Sequence, residues 1–216
     1  MISKSRVVDC THIIKADMPV FPGTEGPILD PVCTMEEMGF REKKWTMYSH
    51  TGTHMDAPAH MLKDGKTLDQ LPIESFMGSG FVLDIRECTE KEVPLSRVKA
   101  YENLLNEVDF LLIQTGWETY WGSDKYFQGF PALSEEAAEY LMQFDLKGIG
   151  VDAISIDLME TQTFPIHGIL MSKGLVIIEN LKNLSLLEGV FDFQAFPLKV
   201  EDADGSPVRA IANLQG

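Results

Sequence analysis

Three of the five histidines in this chain lie within eleven residues, together with one aspartate. Imidazole nitrogens and carboxylate oxygens are common ligands of Zn²⁺, Mn²⁺ and Fe²⁺, and such a set leaves coordination positions open for water and substrate. A lone histidine is usually a surface or hydrogen-bonded core residue, but chance explains four such side chains in one short segment poorly. The segment therefore predicts a divalent-metal site. Its residues are His50, His54, Asp56 and His60.

The spacing of these residues constrains the path of the backbone. On a helix, Asp56 would point away from the two histidines that precede it. On a straight strand all four side chains share a face, but the outer histidines would lie about 33 Å apart, too far to contact one ion. We therefore predict bends at Gly52 and Pro58. A strand over residues 44–49 is expected to lead into a compact turn that gathers the first three side chains. His60 lies beyond the second bend and is a candidate general base.

Residues 50–60 resemble the signature H-x-G-T-H-x-D-x-P-x-H of the cyclase family of metal hydrolases, which includes bacterial kynurenine formamidase and isatin hydrolase. All seven fixed positions of this signature are filled. The resemblance extends through most of the chain. The further matching segments are D-x-[ST]-H at 9–12, P-x-x-P-G within 18–23, Q-T-G at 114–116, G-x-D-x-x-S-x-D at 150–157, P-L-K at 197–199 and G-x-P-x-R-A at 205–210.

The resemblance implies a second set of ligands, His167 and Glu179, twelve residues apart. It also implies that Asp56 bridges when two ions are bound. Glu179 follows the apolar run 175–178, which is predicted to be a buried strand. A carboxylate buried at the end of such a run needs a cation or several hydrogen-bond donors. From the residues alone, a glutamate that emerges into solvent is an equally good interpretation.

Four further polar residues fall within the matched segments and have supporting roles in the prediction. His12 is expected to brace the site or the core, because the family's ligands are already accounted for. Asp152 and Asp157 either accept hydrogen bonds from ligating imidazoles or satisfy loop backbone groups, and the two interpretations carry equal weight. Arg209 is expected to form a structural ion pair.

The middle of the chain alternates between strand and helix patterns, which is typical of an α/β domain with a parallel or mixed sheet. Strands are predicted over 81–85, 109–114 and 148–151. Helices are predicted from Pro94 through Leu105 and after Ser134, a plausible N-cap. Additional β-structure is expected at both ends, within 20–61 and 191–212. By resemblance the fold is a swivelling β/β/α domain, with helices packed on a mixed sheet and one domain over residues 1–216.

Eighteen basic and 33 acidic residues give a net charge of −15, which disfavours a nucleic-acid partner. The densest basic cluster, Arg41, Lys43 and Lys44, is interrupted by Glu42. No apolar stretch is long enough to predict a membrane helix, and no secretory signal pattern is evident. We therefore expect a cytoplasmic protein without a membrane partner.

The chain has three cysteines, and their spacing contains no C-x-x-C pair. Cys10, Cys33 and Cys88 are predicted to be reduced, buried side chains, not a disulfide framework or a thiolate metal site. Any metal must then be held by nitrogen and oxygen ligands.

The activity implied by the resemblance is hydrolysis of a C–N bond in a small amide or cyclic amide, such as a formanilide, a cyclic imide or an isatin-type lactam. One or two ions of Zn or Mn would activate water, and His60 would carry its proton to the leaving nitrogen. The resemblance also implies a homodimer or homotetramer. A non-catalytic metal-binding protein on the same scaffold is the alternative from another class.

A kynurenine formamidase is a narrower alternative, and two residues disfavour it. Such enzymes commonly have Trp where this chain has Phe21, and a second His where it has Gly168. Phe21, Phe164 and Trp117 are candidates for an aromatic substrate pocket, although each could instead belong to the core.

Overall fold

The apolar runs of the chain form the strands of one large sheet in a computed structural model that describes residues 6–214. The elements, in chain order, are β1 (Arg6–Asp9), β2 (Ile28–Cys33), α1 (Met35–Met38), β3 (Glu42–Thr46), β4 (His54–Asp56), β5 (Met77–Asp84), β6 (Glu92–Val93), α2 (Leu95–Lys99), α3 (Glu102–Leu105), β7 (Phe110–Gln114), β8 (Ala132–Leu133), α4 (Glu135–Leu141), β9 (Gly148–Val151), α5 (Pro165–Ser172), β10 (Val176–Glu179), β11 (Val190–Pro197) and β12 (Gly205–Leu214). Short 3₁₀ turns, such as Pro58–His60, lie between them.

The main sheet has the strand order β1-β12-β11-β5-β7-β9-β10-β4, and β4 also pairs with β12. Because of this second pairing, the sheet closes on itself like a barrel. Strands β5, β7, β9 and β10 run parallel to their neighbours within this set. The pairings that involve β1, β4, β11 and β12 are antiparallel. The predicted α/β fold, a swivelling β/β/α domain with helices packed on a mixed sheet, is confirmed.

The core lies on both faces of the sheet, and strand β7 shows why. Its side chains alternate between two buried clusters, with Phe110 and Leu112 in one and Leu111 and Ile113 in the other. The second cluster also contains the apolar faces of α4 and α5. A strand covered on both faces has a continuous apolar sequence in place of an alternating one, as this strand does.

Several predicted elements are confirmed, and three are wrong in their bounds. The strand predicted over 81–85 begins at Met77 and ends at Asp84. Ser134 caps α4, since its side chain accepts a hydrogen bond from the backbone of Ala137. The single helix predicted over 94–105 is two helices, because Tyr101 leaves the helical backbone region and donates to Val98. The strand predicted over 44–49 ends at Thr46. No helix in residues 6–214 is both long and apolar enough to cross a membrane.

The cysteine prediction is confirmed only in part. The structure contains all three cysteines as free thiols, but only Cys10 is buried, whereas Cys33 and Cys88 are partly exposed. Cys33 is the last residue of the mostly exposed strand β2, which does not pack into a hydrophobic core. Cys88 packs at the margin of one core cluster.

Residues 28–46 form a two-stranded arm, with α1 at its tip, that is separate from the main sheet. Every residue of β3 is exposed, whereas the strands of the main sheet contain buried residues. The arm carries a large share of exposed apolar side chains: Ile28, Val32, Met35, Met38, Phe40 and Trp45. A hairpin of two strands is only marginally stable in water when nothing covers it.

Candidate metal centre

The short strand β4 carries the centre of the site. His54 and Asp56 lie two residues apart and point to one face, while Met55 between them points into the core. β4 is paired on both edges, with β10 on one side and β12 on the other. In this register Glu179 lies opposite His54, and the carboxylate Oε2 is 3.6 Å from the imidazole Nε2. The prediction that these residues lie in a compact turn is therefore wrong, because strands on both sides hold them extended.

The two predicted bends are confirmed, and they bring the outer histidines back to β4. Gly52 adopts a left-handed backbone with φ of 67°, and His50 returns so that its Nδ1 lies 2.6 Å from Asp56 Oδ1. Pro58 opens the 3₁₀ turn that ends at His60. The rings of His50 and His60 then lie 3.9 Å apart, centroid to centroid.

His167 reaches the same point from the first turn of α5. The Asp157 carboxylate accepts hydrogen bonds from His167 Nδ1 at 2.6 Å and from the backbone N–H groups of Ile166 and His167. This fixes the orientation of the ring, so Nε2 faces the site. That nitrogen lies 3.4 Å from Glu179 Oε1 and 3.6 Å from Asp56 Oδ2. Asp157 thus supports an imidazole, which was one of its two proposed roles.

Asp152 has the other role. Its buried carboxylate accepts hydrogen bonds from the backbone N–H groups of Thr115 and Gly116 and from the Thr115 hydroxyl. Burial raises the pKa of Asp152 to about 6, against these hydrogen bonds. Asp152 therefore holds together the carboxyl ends of β7 and β9 and does not reach an imidazole of the site.

The remaining predicted supports are in place. His12 stacks on Trp121 with ring centroids 3.9 Å apart, and its backbone N–H donates to Oγ1 of Thr53, the residue before His54. Burial, with the nearby Lys182, lowers the pKa of His12 to about 4, so its ring is neutral. Arg209 forms an exposed ion pair with Asp9 at 2.7 Å, as expected.

The donor set fits a divalent cation. Three groups of three side chains offer ligand atoms within 4.8 Å of one another, and Asp56 belongs to two of them. The two groups that share Asp56 are His50, His54, Asp56 and Asp56, His167, Glu179, and the third is His50, His60, Asp204. Asp56 Oδ2 is buried and has no hydrogen-bond partner. An unpartnered carboxylate oxygen beside a second buried carboxylate is costly unless a cation lies between them.

The buried charges shift each other's pKa values. Burial opposes ionisation of Asp56, but the imidazoles of His54, His167 and His50 hold its pKa well below the ordinary value. Burial likewise opposes protonation of His167, yet Asp157 and the other nearby carboxylates raise its pKa to about 12. The Asp56 carboxylate is therefore ionised at neutral pH and attracts positive charge to this point.

His60 differs from the other imidazoles of the site. Burial, together with the neighbouring His50, lowers the pKa of His60 below its ordinary value. The pKa of His50 is instead raised to about 9, because the hydrogen bonds that it donates to Asp56 and Asp204 outweigh its burial. At neutral pH, His60 is therefore an unprotonated imidazole that can accept a proton.

A cavity of about 420 Å³ opens over these side chains. Apolar and aromatic residues form much of its wall, including Val20, Phe21, Met61, Ile154 and Phe164. Phe21 and Phe164 line this cavity, as predicted. Trp117 does not line this cavity, because it packs against Tyr120 and Phe130 at the core margin. The described lining residues contain neither lysine nor arginine.

Comparison with known proteins identifies the family. The family model described as a cyclase matches residues 8–158. The kynurenine formamidase of Bacillus cytotoxicus is 30% identical over 208 residues, which cover 96% of this chain and 97% of the relative. The chain is a member of the cyclase family.

Solved structures agree with this membership of the cyclase family. Isatin hydrolase A from Labrenzia aggregata, bound to benzyl benzoate, superposes with a TM-score of 0.89 at 25% identity, covering 98% of this chain and 94% of its own. A predicted metal-dependent hydrolase from Bacillus stearothermophilus gives a TM-score of 0.82 at 28% identity, covering 98% and 99% of the two chains. Together with the donor set, these relatives support a divalent metal in this cyclase-family chain.

Asp204 is a site residue that the sequence did not identify. Its Oδ2 lies 3.1 Å from His50 Nε2 and 3.6 Å from His60 Nδ1, at the rim of the cavity. Its backbone carbonyl accepts a hydrogen bond from Ala57, just after β4. The only available signal was its position directly before Gly205, where the matched carboxy-terminal segment begins.

Gly205 itself generates a test of the site. It lies opposite Asp56 in the sheet, and a Cβ atom there would lie 2.5 Å from Cε1 of the His50 ring. We expect Gly205→Ala to push His50 away from Asp56 and to weaken cation binding by about tenfold or more. Competition with a coloured chelator, using Zn²⁺ and then Mn²⁺, measures the dissociation constant.

Gly168→Ala is the matched control. Gly168 follows His167 in α5 and has open space around its Cβ position. Alanine is favoured over glycine in a helix, so this variant should fold well and bind the cation like the parent. Equal affinity in both variants and the parent would show that His50 does not contribute to binding.

Proposed function

We propose that this cyclase-family protein hydrolyses the C–N bond of a small, uncharged aromatic amide or lactam. The broader class, a metal-dependent hydrolase of amide C–N bonds, agrees with the kynurenine formamidases and isatin hydrolases to which the chain is similar. One observation carries the proposal. Two groups of side chains that could hold a metal ion share Asp56 in the wall of an aromatic cavity, and the imidazole of His60 lies beside them.

The ligand assignment keeps the predicted residues. His50, His54 and Asp56 would hold one ion, and Asp56, His167 and Glu179 a second. Nitrogen and carboxylate ligands without thiolate suit Zn²⁺ or Mn²⁺, with one or two ions per chain. A cation held there supplies a Lewis acid for the substrate carbonyl and lowers the pKa of water to about 7.

His60 is assigned as the proton carrier. Its ring is 31% exposed, so it faces the cavity, and its centroid lies 3.9 Å from His50 and 6.1 Å from His167. A neutral imidazole at this position accepts a proton from the attacking water and returns it to the leaving nitrogen as the C–N bond breaks. Asp204, 3.6 Å from its Nδ1, stabilises the protonated ring between these two transfers.

The charge of the cavity favours uncharged substrates. Asp204 stands at the rim, Asp56 and Glu179 lie at the base, and the described wall has no lysine or arginine. A substrate carboxylate would lose its hydration there without gaining a lysine or arginine partner. N-formylkynurenine carries an α-carboxylate, whereas simple formanilides and isatin-type lactams do not. The neutral aromatic ligand of isatin hydrolase A, benzyl benzoate, supports the same choice.

A substrate panel tests this proposal. Metal-loaded protein is assayed against formanilide, a cyclic imide, isatin and N-formylkynurenine, with metal content measured in the same samples. We expect a neutral aromatic substrate to give kcat/KM at least about tenfold above that of N-formylkynurenine, since an unpaired buried charge costs several kcal/mol. A preference for N-formylkynurenine would establish a kynurenine formamidase. No turnover at full metal occupancy would favour the non-catalytic metal-binding alternative.

His60→Ala tests the proton carrier. Loss of a general acid–base group should lower kcat by about 10²–10⁴-fold, with the metal content nearly unchanged. Elemental analysis and steady-state kinetics on one preparation separate the two effects. The control is His12→Ala, which removes an imidazole outside the cavity and should retain most of the activity. A His60→Ala protein that has lost its metal would show that this residue is a ligand.

Assembly as a homodimer or homotetramer is proposed as well, with the arm of residues 28–46 as the contact surface. The arm is exposed on both strands, and Trp45 is 64% exposed. Its strand β3 leads directly to Tyr48, which lines the cavity. A second copy that covers the arm would bury these apolar side chains. A cytoplasmic location is also proposed, in keeping with the free thiols.

Light scattering on a sizing column measures the assembly. We expect the parent to have a dimer or tetramer mass and Trp45→Glu to shift it towards the monomer, because a charge would enter an apolar contact. Leu198→Glu is the matched control, since Leu198 is 57% exposed but lies outside the arm. A parent that runs as a monomer, or equal dissociation of both variants, would contradict the role of the arm.

A further inference from the structure

Asn180 occupies an unusual position directly after Glu179. It is 2% exposed and has a left-handed backbone with φ of 57°. Left-handed backbone is rare in residues with a side chain, although asparagine tolerates it better than most. A buried amide in this conformation persists where its surroundings hold it. Its contacts therefore show what the position is for.

The side chain of Asn180 links the buried Tyr126 to Gly52, two residues before His54. Its Nδ2 donates to the carbonyl oxygen of Gly52 at 2.9 Å, and its Oδ1 accepts from the hydroxyl of Tyr126 at 2.7 Å. The amide orientation is fixed, because a flipped amide would set Oδ1 against the Gly52 oxygen. Tyr126 is fully buried, so its hydroxyl depends on this partner.

The backbone of Asn180 is also fully engaged. Its N–H donates to the carbonyl of Ala153, and its carbonyl accepts from the hydroxyl of Thr53 at 2.6 Å. Thr53 Oγ1 in turn accepts from the backbone N–H of His12. Asn180 therefore connects four separate segments of the chain, and two of its bonds reach residues 52–53.

The carbonyl of Gly52 is the link to the site. It accepts a hydrogen bond from His54 Nδ1 at 2.8 Å as well as the bond from Asn180. A proton on Nδ1 leaves Nε2 as the lone-pair nitrogen of His54. That nitrogen lies 3.2 Å from Asp56 Oδ1 and 3.6 Å from Glu179 Oε2. The orientation of one peptide group thus determines which nitrogen of His54 faces the acidic residues.

We propose that Asn180, oriented by Tyr126, is a positioning residue that fixes the tautomer and ring orientation of His54 through the Gly52 carbonyl. In its consequence for cation binding, the inference rests on the ligand assignment of the proposed function. Gly52 has a left-handed backbone of its own, so its peptide plane is not held by a regular strand. The amide of Asn180 supplies that restraint.

The test uses Asn180→Gly, Tyr126→Phe and the double variant. Glycine keeps the left-handed backbone and removes only the amide. We expect Asn180→Gly to weaken Zn²⁺ binding by about 10–100-fold and Tyr126→Phe by a smaller factor. In the Asn180→Gly background, Tyr126→Phe should have no further effect, because the tyrosine acts through the amide.

Long-range ¹⁵N–¹H spectra of histidine-labelled protein supply a readout that general destabilisation would not move. The His54 signals, assigned by their loss in His54→Gln, should show one Nδ1–H tautomer in the parent and a mixture in Asn180→Gly. Asn183→Gly is the matched control. Asn183 also has a left-handed backbone, with φ of 60°, but its amide donates to Asp9, away from the site.

Parent-like affinity and a single His54 tautomer in Asn180→Gly would overturn the proposal, as would an equal effect of Asn183→Gly. If Asn180→Gly does not fold, Tyr126→Phe decides by the same two readouts, since it keeps the asparagine. Neither readout requires turnover. A protein that binds Zn²⁺ but hydrolyses no amide would therefore contradict the proposed function alone. If the parent binds no Zn²⁺, the His54 tautomer in the parent and in Asn180→Gly tests the positioning role.

Discussion

The burial of two neighbouring carboxylates is the constraint on which the rest of this structure depends. Asp56 and Glu179 are 1% and 5% exposed, and both face the same point between β4 and β10. Carboxylates removed from water are very unfavourable unless cations or hydrogen-bond donors compensate them. Glu179 receives one backbone N–H from Ile156, and three imidazoles surround Asp56. These donors leave Asp56 Oδ2 without a hydrogen-bond partner, so positive charge remains favourable at this buried point.

The closed sheet fixes the register of β4 and therefore the positions of these side chains. Because side chains alternate along a strand, a slip of β4 by one residue would turn His54 and Asp56 into the core and Met55 into the cavity. Pairing on both edges, with β10 and β12, prevents such a slip. The same pairing places Gly205 opposite Asp56, where the missing side chain leaves room for the ring of His50. The strand has only three residues, but its two neighbours determine both its register and what lies over it.

The sequence predicted what is local and missed what long-range pairing creates. The histidine segment, its bends at Gly52 and Pro58 and the cap at Ser134 follow from residue types and short spacings. Family resemblance added residues 167 and 179, whose proximity no spacing rule implies. The strand at 54–56 was taken for a turn because three residues flanked by loops show no periodicity. Asp204 and Asn180 were missed because register and a left-handed turn bring them to the site. Trp117 was wrongly predicted to line the pocket, because the sequence does not distinguish an aromatic residue that packs in a core from one that lines a cavity.

The two groups of candidate ligands that share Asp56 are not equivalent, because different acceptors hold the imidazole of each group. His167 donates its Nδ1 proton to the carboxylate of Asp157, whereas His54 donates to the neutral carbonyl of Gly52. An anionic acceptor makes the opposite nitrogen a stronger electron donor than a neutral acceptor does. The group with His167 also contains two carboxylates, and the group with His54 contains one. Charge and basicity therefore both favour cation binding at the position between Asp56, His167 and Glu179. Cation binding at His54 depends more on the orientation of its ring. There the amide of Asn180, a residue with a left-handed backbone, holds the Gly52 peptide group in place.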